Sequence, residues 1–338
     1  MAVWKEYKIG DLCDTISETY RGHDEEVILI NTSDVLEGRI LNHQKVPNRN
    51  VKGQFKKTFK TQDILYSEIR PENNRFAYVD MKDTSLYIAS TKLMVIRANI
   101  EIIEPRFLYA ILTAKSMTQE LQVRAELRSG TFPQITFKTE LATIKVCVPD
   151  RNTQKKIVSF LDAINRKIEV NNKINRNLSA QVAAIYKAWF VDFKTNNGIC
   201  PDDWKDGILG DIAEISSGKR PPMKQNDKTD DVCIPLVGAA SIMGYTNAIL
   251  YDSKILVIGR VGTHGVVQRF DQNCWPSDNT LVITTDRYEF VNQILLGVDY
   301  ESINRGSTQP LITQGDLKKI EIIVPNDAVL DEFENLAG

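Results

Sequence analysis

Arginine, lysine, asparagine and small hydroxyl side chains gather in a few short stretches of this sequence. They are the side chains that base edges and phosphate oxygens require. The first stretch holds Arg70, Asn73, Asn74 and Arg75, and the next holds Arg128, Ser129 and Thr131. Further along stand Lys219 and Arg220, then Arg260, Thr263 and His264, then Arg305, Ser307, Thr308 and Gln309. Within Gly259–Gly265 the glycines remove the side-chain obstacle to close approach of a phosphate. Ser129–Pro133 and Ser307–Pro310 resemble each other, and residues shared in this way suit backbone positioning or fold better than the reading of different sequences.

The chemistry of catalysis is harder to find. His23, His43 and His264 are widely spaced and form no HxxxH ligand pair. Ser217-Gly218-Lys219-Arg220 lacks the GxxxxGK[ST] pattern of a phosphate loop, and no GxGxxG follows a strand. No Pro-Pro-aromatic motif of the kind amino-methyltransferases use is present. Asp162 and Glu169 lie one heptad apart and read as solvated charges rather than an acid/base pair. These absences favour a binding role, with no metal and no cofactor held by this chain.

Composition sets the frame. At 338 residues with 42% hydrophobic and 25% charged residues, the chain suits two or three domains with real cores. No apolar run of membrane-spanning length appears, and the N-terminus lacks a secretory pattern. Cys13, Cys147, Cys200, Cys233 and Cys274 include no CxxC pair and read as buried free thiols of a cytoplasmic protein. The net charge of -2 is unevenly spread. Arg151–Thr195 carries nine Lys/Arg against three Asp/Glu, a balance of +6, whereas Glu321–Gly338 carries five acids and no base.

An internal repeat organises the positions named above. Trp4-Lys5-Glu6-Tyr7-Lys8-Ile9-Gly10-Asp11-Leu12 returns as Trp204-Lys205-Asp206-Gly207-Ile208-Leu209-Gly210-Asp211-Ile212. Arg128–Thr136 returns as Arg305–Thr313, at a shift of 177. Leu141-x-x-Ile144-x-Val146-x-Val148-Pro149 returns as Leu317-x-x-Ile320-x-Ile322-x-Val324-Pro325 at a shift of 176, so one residue is inserted between the blocks. The centres diverge. Asp63-Ile64-Leu65-Tyr66 resembles Lys254-Ile255-Leu256-Val257, with Arg70 and Arg260 following. Similar ends around a variable centre suit a common scaffold carrying two binding surfaces.

Each copy reads as α+β. The Ile144/Val146/Val148 and Ile320/Ile322/Val324 alternations predict strands with one buried face, and Leu93–Ile96 and Leu281–Ile283 predict buried strands. Phe107, Leu108, Ile111, Leu112 and Leu121 fit a helix starting near Pro105, matched by Phe290, Val291, Ile294 and Leu295.

Between the copies runs an a/d seam: Ile157, Leu161, Ile164, Ile168, Asn171, Asn175, Leu178, Val182, Ile185 and Trp189. It predicts a helix capped by Thr153 and stopped by Gly198 and Pro201, roughly 60 Å long at 1.5 Å per residue. Such a stripe must pack on another helix. Asn171 and Asn175 could fix register, or mark a solvated turn. The basic excess lies mostly on the other faces and suits either a solvated coat or a surface for DNA phosphates or an acidic partner. The resulting division is 1–150, a recognition module; 151–197, the spacer helix; 198–325, a second module; and 326–338, the start of a second helix in which Val329, Phe333 and Leu336 recur at helical spacing.

The order and duplication of these motifs resemble the specificity subunit of type I restriction–modification enzymes. Gln154-Lys155-Lys156-Ile157-Val158-Ser159-Phe160-Leu161-Asp162 looks like the start of that family's central helix, and the resemblance covers essentially the whole chain. It implies two target-recognition domains, each reading half of a split duplex DNA target. It also implies two long helices packed antiparallel as a spacer, as dimer geometry sets half-site spacing elsewhere. Modification subunits would dock there, bind S-adenosylmethionine and methylate adenine. A translocase–nuclease subunit would use ATP and Mg2+. This chain would be a recognition subunit and not an enzyme. The departure is the second helix, which is read as truncated at Gly338, with self-association through Ile157–Trp189 as one way to replace it. The alternative function is a non-enzymatic protein–protein scaffold.

Overall fold

The computed structural model describes residues 4–49, 51, 53–261, 265–305 and 311–338. The chain divides into two compact units, 1–170 and 171–338, so the division falls inside the long helix.

The first unit is built on β1 (Trp4–Lys8), β2 (Cys13–Ile16), β3 (Ile64–Ser67), β4 (Phe76–Tyr78), β5 (Leu93–Ala98), α1 (Pro105–Leu112), α2 (Lys115–Arg128) and β6 (Lys145–Pro149). β2, β5, β3 and β4 form an antiparallel sheet in that order. The sheet is a middle layer, which explains why its strands are apolar on both faces. Ile64, Tyr66, Met94 and Ile96 pack with Leu12, Phe107, Leu108 and Leu121 on the helical side. Leu65, Leu93 and Val95 pack with Ile28, Ile30 and Val79 on the other. That second side is closed by a small sheet in which Glu26–Ile30 and Tyr87–Ser90 run parallel, flanked by Lys45–Pro47 and Phe55–Lys57. β1 and β6 pair antiparallel as a separate ribbon.

α3 (Arg151–Tyr186) follows and ends in a π-helical turn at Lys187–Val191. Its cap is Asp150, not Thr153. The Asp150 carboxylate accepts from the Asn152 and Thr153 amides at 3.0 and 3.1 Å and from the Thr153 hydroxyl at 2.7 Å. The helix stops before Gly198, because Phe193 turns left-handed at φ 48°.

The second unit repeats the plan with β7 (Lys205–Ile208), β8 (Glu214–Ser217), β9 (Ile255–Gly259), β10 (Gln268–Phe270), β11 (Thr280–Thr284), α4 (Tyr288–Gly297), α5 (Gln314–Lys318), β12 (Glu321–Val324) and α6 (Asp327–Ala337). The sheet order β8-β11-β9-β10 matches that of the first unit, and β7 pairs with β12 as β1 does with β6. Leu256, Ile258, Leu281 and Ile283 face α4, while Ile255, Val257 and Val282 face Val237 and Cys274.

The register corrects the sequence alignment of the centres. Ile64 pairs with Ile96 and Leu256 pairs with Ile283. Ile96 lies opposite Thr15, and Ile283 lies opposite Ile215, its counterpart in the repeat. Ile64 therefore matches Leu256, not Ile255. A slip of one residue would exchange the two faces of the strand, and each fully buried aliphatic side chain is worth about 1.5–3 kcal/mol.

The recurring motifs are scaffold. Asp11 and Asp211 accept from the amides of Lys8 and Ile208, at 3.0 and 2.8 Å. A Cβ on Gly10 would stand 3.1 Å from Ala142, and one on Gly210 would stand 3.2 Å from Lys318, its repeat counterpart. The inserted residue between the closing blocks also has a structural form. Phe137–Leu141 is a π-helical turn, with the Leu141 amide donating to the Thr136 carbonyl, where α5 reaches Leu317 from Thr313 in one residue fewer. Two further expectations change. The helix near Pro105 is two helices, broken at Thr113 and Ala114. Only Cys13 and Cys274 are buried, and Cys147 is exposed.

Candidate nucleic-acid interface

At one end of each middle sheet, three loops meet on the same hydrogen-bond frame. The Glu68 amide, just past β3, donates to the Lys92 carbonyl at 3.0 Å, and the Glu68 carbonyl accepts from the Ile135 amide at 2.8 Å. In the second unit the Arg260 amide donates to Asn279 at 2.9 Å, and its carbonyl accepts from Ile312 at 2.9 Å. Bridges Ile69–Gln134 and Val261–Leu311 extend the two frames identically. The frame gathers the loop after the central strand, the turn before its neighbour, and the loop before the closing block. Ser90 and Ser277 begin the two turns, both buried at 2% and 3% exposure.

This frame unites the two groups of candidates in the first unit. Arg70 is exposed, sits at φ 45°, and donates its amide to the Pro133 carbonyl at 3.1 Å. Pro71–Asn73 forms one 3-10 turn, and Asn74 closes it at φ 52°. A left-handed arginine is costly, whereas asparagine tolerates that region. The turn is thus held by its surroundings, with Glu72 donating its amide to Gln122 at 3.3 Å. Asn73 and Thr131 are exposed. Arg75 is occupied elsewhere, donating to the Ser33 carbonyl at 3.0 Å. The Ser129 hydroxyl accepts from the Phe132 amide at 3.3 Å.

Arg128 and Arg305 prove to be parts of one repeated clamp. Glu140 accepts from the Thr136 amide at 2.6 Å and hydroxyl at 2.9 Å, with Arg128 at 3.2 Å. Asp316 accepts from the Thr313 amide at 3.0 Å and hydroxyl at 2.6 Å, and pairs with Arg305. Burial by itself would raise both carboxyls. The threonine hydrogen bonds and the arginine charge outweigh it and hold both below the ordinary carboxylate range.

In the second unit Lys219 and Arg220 are exposed just past β8. Lys219 is anchored by its backbone, its amide donating to Pro276 at 3.0 Å and its carbonyl accepting from Trp275 Nε1 at 2.7 Å. Gly218 beside it admits no side chain, since a Cβ would lie 2.2 Å from the Ser277 carbonyl. Arg260 is half-buried. Thr263, His264, Ser307, Thr308 and Gln309 lie outside the described residues.

Sequence reasoning missed a charged cluster on the first frame. Lys92 Nζ lies 3.6 Å from Glu68 and donates to Gln134 Oε1 at 3.3 Å. Lys57 donates to the Thr91 and Leu93 carbonyls at 2.9 and 2.8 Å. Its burial lowers the ammonium pKa, against the opposing pull of Glu68. The readable signal was position, because Glu68 and Lys92 flank the ends of adjacent buried strands.

Asp162 is paired rather than merely solvated. It lies 3.5 Å from Arg106, whose guanidinium stacks over the Tyr78 ring at 4.5 Å. The helix seam is used in part. Ile157 packs on the first core, and Val182, Ile185 and Trp189 pack on the second. Leu161, Ile164, Ile168 and Leu178 are 37–53% exposed, with Asn171 and Asn175 exposed between them. Among the described residues no cluster of His, Cys, Asp and Glu could hold a metal ion, and no helix is long and apolar enough to cross a membrane.

The family model described as "Type I restriction modification DNA specificity domain" matches residues 1–180 and 201–329. The chain is 43% identical over 228 residues to the type I restriction enzyme HindI specificity subunit of Haemophilus influenzae, covering 65% of this chain and 49% of that protein. It is 23% identical over 269 residues to the type I restriction enzyme MjaIX specificity subunit of Methanocaldococcus jannaschii, covering 68% of this chain and 61% of that protein. The chain thus spans roughly half the length of these curated relatives. In fold it is similar to the S subunit of a type I restriction–modification system from M. genitalium, with a TM-score of 0.55 at 15% identity over 99% of this chain and 92% of that one.

Proposed function

The chain belongs to the type I restriction–modification DNA specificity family, and from that premise we propose that each unit reads one half of a bipartite duplex target. One observation carries the reading: the same three-loop frame occurs twice and presents different polar side chains. The repeated parts, the Arg128–Glu140 and Arg305–Asp316 clamps, hold the frame. The divergent parts, Arg70, Asn73, Lys219, Arg220 and Arg260, face the DNA. In this proposal the chain is a recognition subunit without chemistry of its own. Modification subunits supply S-adenosylmethionine-dependent adenine methylation, and a translocase–nuclease subunit supplies the ATP- and Mg2+-dependent steps.

The uncovered stripe from Leu161 to Leu178 supports a second contact, with a partner helix. Ile157, Val182, Ile185 and Trp189 are already engaged, which narrows the surface for self-association to the middle of the seam. A monomeric mass at micromolar concentration by sedimentation would count against self-association.

The decisive experiment is co-expression with the modification subunit followed by genome-wide mapping of methylated adenines. A split motif with a fixed gap is the expected result, and an active assembly that methylates no such motif would overturn the proposal. DNA binding should also fall steeply with salt, since neutralised phosphates release counterions.

A further inference from the structure

Glu68 and Arg260 have one backbone address in two copies of a frame. Each residue directly follows the central strand of its sheet. Each donates its amide to the turn before the neighbouring strand and accepts from the residue that follows the bridge to the closing loop. What they present there is opposite. A carboxylate only accepts hydrogen bonds, and a guanidinium only donates them. The frame itself does not explain the difference, because its own residues recur as threonine, acid and arginine in both units.

The neighbours fit the same contrast. An acid close to a phosphate backbone is repelled unless cations offset it. Lys92 lies 3.6 Å from Glu68, and Lys57 is fixed on the carbonyls of that same turn. At the place of Lys92 in the second frame stands Asn279, exposed and uncharged. An arginine needs no such compensation.

We propose that Glu68 and Arg260 occupy the same reading position and give the two half-sites different base identities. Glu68 accepts a hydrogen bond from the 4-amino group of a cytosine, and Arg260 donates to the O6 and N7 of a guanine. Lys92 and Lys57 are positioning residues that make the carboxylate tolerable beside DNA. This inference rests on the bipartite-reading proposal above and assigns its discriminating contact.

The test is selection of bound duplexes by the full chain from a pool of random sequence, followed by sequencing. Wild-type protein should enrich a split motif. Glu68→Gln should relax the preference at one base pair of one half-site, by roughly 5- to 150-fold in relative enrichment. Arg260→Gln should do the same at one base pair of the other half-site only. Glu68→Asp keeps the charge beside Lys92 and should retain the cytosine preference at reduced enrichment, which guards against a folding defect in the first variant. If wild-type protein enriches no motif, the DNA-reading proposal falls and this inference with it. If it enriches a split motif that neither glutamine variant alters, or both halves weaken uniformly without a change of preference, only the assignment of Glu68 and Arg260 is overturned.

Discussion

The two repeated units share a sheet order and a loop frame and solve the same backbone problems with different side chains. The contact of the following helix shows this best. In the first unit Gln154, 1% exposed, accepts from the Glu104 amide at 2.8 Å and donates to the carbonyls of Ile102 and Pro149, satisfying the start of α1. Leu330 stands at that place in the second unit, and the duty passes one turn along α6. There Glu334 accepts from the amides of Glu289 and Phe290 at 3.0 and 2.9 Å, at the start of α4. Beside Gln154, half-buried Ile157 makes the apolar contact. Its counterpart Phe333 is fully buried, with ring centres of Phe190 at 5.1 Å and Phe290 at 6.5 Å. What is retained through duplication is the obligation to satisfy helix-terminal amides and to bury one apolar anchor; the residue that does so is free to change.

Equivalent positions should therefore carry unequal costs. Phe333→Ala should destabilise the second unit by about 3–5 kcal/mol, since it empties the centre of an aromatic cluster. Ile157→Ala should cost the first unit about half as much, because the side chain is only half-buried. Hydrogen exchange resolved by segment checks both, and equal losses of protection would break the comparison. Next in size is an ion pair that the second unit replaces with uncharged residues. Arg97 Nε and Nη2 each donate to buried Asp63 at 2.7 Å, where the matched register places Thr284 and Ile255 in the second unit. Asp63→Ala should cost about 3 kcal/mol, because the Arg97 guanidinium keeps only Glu18 at 3.8 Å and the Lys60 amide loses its acceptor. The double variant Asp63→Ile with Arg97→Thr, which copies Ile255 and Thr284 into the first unit, should be close to neutral in urea unfolding. A double variant as damaging as the single one would show that the first unit depends on the charges themselves.

Much of this was legible in the sequence, and the misses have physical reasons. The opening Gly-Asp blocks and the closing strands were readable because close backbone approach and capping allow few residue types, so Gly10 and Gly210 recur unchanged. The long helix was readable from its period, since apolar anchors at both ends dock on the two cores. The equivalence of Glu68 with Arg260 was not readable, because aligning Ile64 with Ile255 satisfied residue type as well as the true match to Leu256. In strands buried on both faces the apolar pattern does not mark register; only the pairing with β5 and β11 does. Arg128 and Arg305 drew attention as polar loop residues, yet their recurrence was the sign of the clamp. The cap at Asp150 was missed because Thr153, one turn later, is also a good capping residue.

The clamp gives a pH-dependent test of how alike the units are. Glu140 and Asp316 are held below the ordinary carboxylate range in the folded chain. A depressed carboxyl contributes stability above its unfolded pKa, near 4, and that contribution is lost as pH falls through the lower folded value. Glu140→Gln and Asp316→Asn should each lower stability by about 1–2 kcal/mol at neutral pH and flatten its decline below about pH 4, through loss of the charge-assisted bonds to threonine. Unfolding midpoints measured across that range check it. A variant that keeps the wild-type slope would place the acid sensitivity elsewhere.

The smallest expected effect separates clamp from contact most cleanly. Arg128 and Arg305 are 43% and 63% exposed in their side chains, so each ion pair is screened and worth about 1 kcal/mol or less. If their task is to hold the loop, Arg128→Ala should loosen Thr131 and its surroundings, and both Arg128→Ala and Arg305→Ala should leave base preference unchanged. Any fall in DNA affinity should then be uniform across sequences, with no altered position in the selected motif. A base-specific change from Arg305→Ala would move this arginine from the frame to the reading surface. It would also break the rule that the shared residues support and the divergent residues discriminate.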